Sequence, residues 1–228
     1  MVGNKIIKQL WHSANLTYLL PNKSDMLRGE DVFLFHEGCD YAVIFIDHKK
    51  SDITVAFRGT RGIIAWKENF DAIDRQEFEK HQARVHEGFW EGFTSLEGYL
   101  VPLIELYHAK GYSVYITGHS RGGAIATITA WRLWESYGIK SICVSFAAPR
   151  QGGKRYAASV EDSPIDFLRV QTKFDIVPNV PPRILGYTHV DPYLILETTP
   201  FPYNLRLLRG ILQHTQGVYE RAIYRLAA

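Results

Sequence analysis

Apolar positions cluster into three short runs near the start of the chain: DVFLFHEG (31–38), DYAVIFIDH (40–48) and DITVAFRGT (52–60). Turn-prone Gly, Asp, Lys and Ser separate them, so they read as strands joined by short connections. Before them, Ile6, Ile7, Leu10, Trp11, Ala14 and Tyr18 recur at helical spacing and predict an amphipathic helix packed on the domain. After them comes an irregular charged stretch, 61–85. TSLEGYLVPLIELYHAKG then predicts a helix with Thr94 as N-cap and Gly111 at its end. Downstream, YSVYITG reads as a strand, 121–137 as a helix closed by Gly138, SICVSFAAP as a buried strand, KRYAASVED as a helix and IDFLRVQT as a strand. A tail rich in Pro and aromatics, 178–203, leads to a last helix near 205–226. Strands first and helix–strand alternation afterwards predict an α/β fold. Its mixed, mostly parallel central sheet is antiparallel at its start and flanked by helices. No repeat or linker interrupts the pattern, and 228 residues suit a single domain spanning 1–228.

Composition narrows the function classes. Lys and Arg number 26 against 24 acidic residues, so a net charge of +2 carries no signature of nucleic-acid binding or of strong membrane attraction. The first twenty residues lack the unbroken apolar core of a signal peptide, and nothing approaches a transmembrane span of about 18 apolar residues; the expected compartment is the cytoplasm. Cys39 and Cys143 both sit in strand-like runs, which predicts buried free thiols, with one disulfide as the alternative.

The chemistry lies in Gly118-His119-Ser120-Arg121-Gly122, a G-x-S-x-G pattern between a strand and a helix. In that setting the serine occupies a sharp turn that lifts its hydroxyl above the sheet edge, and the flanking glycines remove side chains that would collide there. The helix beginning at the serine turns its free amides toward developing negative charge. A serine hydroxyl is a poor nucleophile until a base takes its proton, and that base needs an orienting carboxylate. With the chain order Ser, acid, His, the acid belongs just past a downstream parallel strand. Asp175 meets that demand; Asp166 lies at the wrong end of its strand, and Asp191 is the remaining rival. Downstream of Asp175 the histidines are His189 and His214, and spacing does not choose between them. The backbone N–H of Arg121, immediately after the serine, is the expected first oxyanion donor. His81 and His86 lack the companion Glu and spacing of a zinc motif, and no phosphate loop appears, so neither metal nor cofactor is expected.

Several ordered segments together resemble the class 3 lipase family of α/β-hydrolases. They are ITVAFRGTRGIIAW (53–66), VHEGFWEGFTSL (85–96), VYITGHSRGGAIATI (114–128), FAAPRQG (146–152) and RVQTKFDIVPNVPP (169–182), followed by YTHV and HTQGVY. The resemblance implies that the base precedes the C-terminal helix with a tyrosine soon after, which fits His214 and Tyr219. It implies that YTHV, with His189, lines the fold. It places the second oxyanion donor at Thr60; the Arg84–His86–Gly88 region reads as structural, with His86 as a brace for the serine loop. It also implies an amphipathic lid over 61–80, with Gly62 as hinge and Trp66 as the lid tryptophan, although apolar residues at that spacing also suit simple core packing.

The expected function is therefore hydrolysis of carboxylic esters of lipids through an acyl-enzyme on Ser120, as in a triacylglycerol lipase or related esterase. The substrate is a lipid or small ester, and contact with a lipid interface is transient. Phospholipase A1, monoacylglycerol lipase and short-chain carboxylesterase are alternatives within the class; a non-catalytic lipase-like binding module is the alternative outside it.

Overall fold

The structure is a computed structural model that describes residues 2–19, 31–60, 75–78, 82–199 and 206–226. Its frame is a seven-stranded sheet in the order β1-β2-β3-β6-β7-β8-β9. The first three strands, β1 (Asp31–Glu37), β2 (Asp40–Asp47) and β3 (Asp52–Phe57), form an antiparallel meander. From β3 onward, β6 (Ser113–His119), β7 (Ile142–Phe146), β8 (Asp166–Thr172) and β9 (Tyr193–Leu196) pair in parallel. β4 (Arg75–Phe78) and β5 (Ala83–His86) make a separate hairpin.

The central strands read as continuous apolar runs because helices cover both faces of the sheet. On one face, α2 (Glu87–Ala109), α3 (Arg121–Tyr137) and α4 (Lys154–Glu161) bury Phe93, Leu96, Ile128 and Trp131 against Ile44, Val55 and Ile116. On the other, α1 (Asn4–Leu16) and α6 (Gln216–Tyr224) enclose Leu10, Trp11, Phe146, Val170, Tyr219 and Ile223. Trp11 and Trp131 are among the largest fully buried side chains, and truncating either to Ala costs about 3–5 kcal/mol. Among the described residues no helix is long and apolar enough to cross a membrane.

Four local expectations change. The helix expected to be capped by Thr94 has its N-cap eight residues earlier, at His86, and begins at Glu87, so Thr94 lies inside it with its hydroxyl on the Glu91 carbonyl. Phe89 and Phe93 extend the buried stripe upstream, so packing rather than a polar cap sets the start. The last helix is two, α5 (Arg206–Gln213) and α6, with His214 and Thr215 at the break. The tail contains the edge strand β9. Cys143 is buried as expected, but Cys39 is exposed, because it lies in the β1–β2 turn and not within a strand.

Candidate active site

β6 ends at His119 and α3 begins at Arg121, so Ser120 alone makes the turn. Its φ of 63° and ψ of −130° are rare for an L residue and store about 1–3 kcal/mol of strain. Two flanking contacts explain why the turn requires glycines. A Cβ on Gly118 would lie 2.3 Å from the Gly122 carbonyl oxygen, and one on Gly122 would lie 2.3 Å from the Phe57 carbonyl oxygen. The turn is held from below, where Ser120 N–H donates to Phe146 O at 2.9 Å.

The turn aims the hydroxyl at one imidazole. Ser120 Oγ lies 2.8 Å from His214 Nε2, and His214 Nδ1 lies 2.9 Å from Asp175 Oδ2. All three residues are buried. Asp175 follows the C-terminal end of β8, and its carboxylate is surrounded by donors. Oδ1 accepts the Val177 N–H at 2.9 Å, and Oδ2 accepts the Tyr219 O–H at 2.7 Å. Tyr219 in turn accepts the Thr172 N–H at 3.0 Å. Burial and the adjacent Asp175 push the Tyr219 phenol well above its ordinary range, so it remains a donor to the carboxylate. His214 reaches this position because the chain breaks between α5 and α6, with His214 N–H closing a turn onto Ile211 O at 3.1 Å.

The competing side chains sit elsewhere. His189 Nε2 donates to Pro178 O at 2.6 Å; burial and the nearby Arg169, Arg150 and Arg183 hold its pKa down to about 3. Asp191 faces Arg169 at 3.4 Å, and Asp166 opens β8 with Lys140 at 3.6 Å. His86 stacks on Phe89 at 4.4 Å, with its backbone N–H on Gln151 O, and so ties β5 to the segment after β7.

The Arg121 side chain pairs with Asp40 and donates to Gly88 O at 2.9 Å. What Arg121 can offer an oxyanion is thus its amide, the first of α3. The loop after β3 abuts the same turn: a Cβ on Gly59 would lie 2.7 Å from His119 O and 3.0 Å from Ser120 Cβ. Thr60 is the next residue. Of the expected lid at 61–80, residues 75–78 form β4, while the remainder, with Gly62 and Trp66, lies outside the described residues.

Two supporting residues were not anticipated as such. His119 Nε2 lies 3.2 Å from the His214 carbonyl oxygen, which can only accept, so Nε2 carries the proton and Nδ1 accepts the Tyr18 O–H at 3.0 Å. Burial and the neighbouring His214 hold the His119 pKa well below its ordinary value, consistent with a neutral ring. Tyr18 is raised to about 12 by burial, while its oxygen also meets Gln216 and the Gly59 backbone. One phenol therefore links the loop after β3, the serine turn and the start of α6. Trp11 stacks on Tyr219 at 5.8 Å and meets His119 edge-on at 5.7 Å. The amphipathic pattern of 6–18 showed that α1 packs. It did not show that its C-terminal side reaches the site; the signal available was a polar phenol on the apolar face.

The strand order, with the serine turn following the first parallel pair, is that of an α/β-hydrolase. Residues 54–185 match the family Lipase (class 3), and the chain belongs to that family. It is 27% identical over 166 residues to a lipase of Rhizomucor miehei, an alignment covering 70% of this chain and 46% of that protein. It is 28% identical over 179 residues to a rice (Oryza sativa subsp. indica) phospholipase A1-II 1, covering 68% and 45%. The chain thus spans about half the length of the curated relatives it matches. The fold is shared with the mono- and diacylglycerol lipase of Aspergillus oryzae, with a TM-score of 0.75, 23% identity, and coverage of 89% of this chain and 82% of that one.

Proposed function

We propose that this chain hydrolyses carboxylic esters of lipids through a covalent acyl-enzyme on Ser120. The observation that carries the reading is the continuous contact Ser120 Oγ–His214 Nε2–Asp175, at 2.8 and 2.9 Å and shielded from solvent. His214 takes the hydroxyl proton as the oxygen attacks the ester carbonyl, then returns it to the departing alcohol. Asp175 accepts a hydrogen bond from the Nδ1–H of His214 and so fixes the tautomer whose unprotonated Nε2 acts as base. The Tyr219 and Val177 donors hold the carboxylate in that orientation. The tetrahedral oxyanion sits between the Arg121 and Thr60 amides; each such donor contributes about 3–4 kcal/mol to the transition state. Water then attacks the acyl-enzyme by the same route in reverse.

The lipid part of the reading rests on the family and on its members' names, which include lipase, phospholipase A1 and mono- and diacylglycerol lipase. A triacylglycerol or partial glyceride is the proposed substrate, met during transient contact with a lipid surface. The test is hydrolysis of p-nitrophenyl esters from short to long acyl chains, of emulsified triacylglycerol and of phosphatidylcholine, by wild type and Ser120→Ala. Ester cleavage that disappears in Ser120→Ala supports the proposal. A folded wild type that cleaves none of these esters refutes it.

A further inference from the structure

A second polar cleft of about 230 Å³ lies between β8, β9 and the segment 178–189, and Ser120, Asp175 and His214 do not line it. Its walls carry three guanidiniums, those of Arg150, Arg169 and Arg183, and among the lining residues Asp191 is the one carboxylate. Arg150 is 7% exposed and Arg169 5%. Burying such charges without full compensation is costly, so their partners matter. Arg150 Nη1 donates to the carbonyls of Asn179 and of Pro181, the latter at 2.7 Å. Arg169 donates to Gln171 and to the Val190 carbonyl, and it reaches Asp191 only at 3.4 Å, where that carboxylate is 63% exposed. Arg150 Nε and His189 Nδ1 are buried and have no partner among the described residues. The positive field is strong enough that all three arginines help to suppress the charge of His189.

We propose that this cleft binds a phosphate group, held between Arg150, Arg169 and Arg183. Three guanidiniums against one carboxylate leave two positive charges, which a phosphate dianion neutralises. The planar donor forks of arginine suit its oxygens better than a point charge would. Pro178 and Asn179 also line the cleft, and Asn179 Nδ2 donates to the Asp175 carbonyl at 3.2 Å. Occupancy therefore also steadies the loop that carries Asp175. The phosphate belongs either to a free ion or to a phosphomonoester lipid headgroup.

The experiment titrates wild type and Arg183→Glu with inorganic phosphate at constant ionic strength, following calorimetric heat and Tm. Both proteins are also sedimented with phosphatidylcholine vesicles with and without phosphatidic acid. Arg183 is exposed in a short 3-10 turn, so the variant keeps the fold, which its Tm without phosphate verifies. Wild type shows saturable binding and a Tm rise of about 3–5 °C at tenfold the dissociation constant. Arg183→Glu loses about tenfold or more in affinity. Binding to free phosphate identifies the ion; binding confined to vesicles carrying phosphatidic acid, and lost in the variant, identifies the headgroup. Equal binding by the two proteins, or no saturable response to either form in the millimolar range, overturns the proposal.

Discussion

Ser120 offers a direct measure of what the turn costs the fold. Replacing it with Ala or with Gly removes the hydroxyl and its contact with His214 in both cases, so that loss cancels in the comparison. What differs is the Cβ. Ala keeps it in a backbone with φ 63° and ψ −130°, whereas Gly releases strain of about 1–3 kcal/mol. Against this, glycine loses more backbone entropy on folding, about 0.5–1 kcal/mol relative to alanine. The difference between the midpoints of these ranges leaves Ser120→Gly more stable than Ser120→Ala by about 1 kcal/mol. For a chain of this size that corresponds to a Tm about 2–4 °C higher. Urea unfolding at neutral pH, with thermal scans alongside, measures the difference directly, and both variants lack esterase activity. A Ser120→Ala protein as stable as Ser120→Gly, or more so, would refute the claim that strain is stored at this residue.

Further outcomes follow from the same contacts. Asp175→Asn presents an amide to His214 Nδ1, stabilises the wrong tautomer, and lowers kcat by about 10⁴-fold with little change in KM. Tyr18→Phe releases His119 and the Gly59 loop together; kcat falls about tenfold with KM nearly unchanged, and unfolding becomes easier by about 1–2 kcal/mol. His119 and His189 both have folded pKa values held below the ordinary 6.5, so the native state binds fewer protons than the unfolded chain. The stability associated with their neutral forms is complete above pH 6.5 and falls as the pH drops, by about 2 kcal/mol at pH 5 for His189, whose folded pKa is about 3, and in the same direction for His119. Urea melts at pH 7.5 and 5 check this, and His189→Gln reduces the loss. Gly122→Ala drives a Cβ into the Phe57 carbonyl and costs about 3 kcal/mol or more, read as a lower urea midpoint.

The parts of the fold legible in sequence are those where local pattern and tertiary role agree. β2, β3, β6 and β7 are apolar because both faces are covered, and the serine motif marks its own strand and helix. Asp175 was legible because a parallel strand delivers its C-terminal end to one edge of the sheet. Spacing did not choose His214 over His189, and the resemblance alone favoured it, since the choice depends on the break between α5 and α6 and on the burial and three arginines around the other ring. β9 escaped because it is a short edge strand preceded by Pro192, with Tyr193 and Ile195 exposed. In sequence, Tyr18 is one more apolar contact on a helical stripe. Its role arises from Gly59 and His119, 41 and 101 positions along the chain, which no local window contains.

The central claim is that the hydroxyl of residue 120 is made reactive by the imidazole of residue 214. Intact-protein mass spectrometry after exposure to a fluorophosphonate ester tests it whatever the natural substrate. The account predicts one phosphonyl group per chain, mapped to Ser120, formed rapidly by wild type and far more slowly by a folded His214→Ala. A folded wild type that resists labelling, or a His214→Ala protein labelled at the wild-type rate, would contradict it.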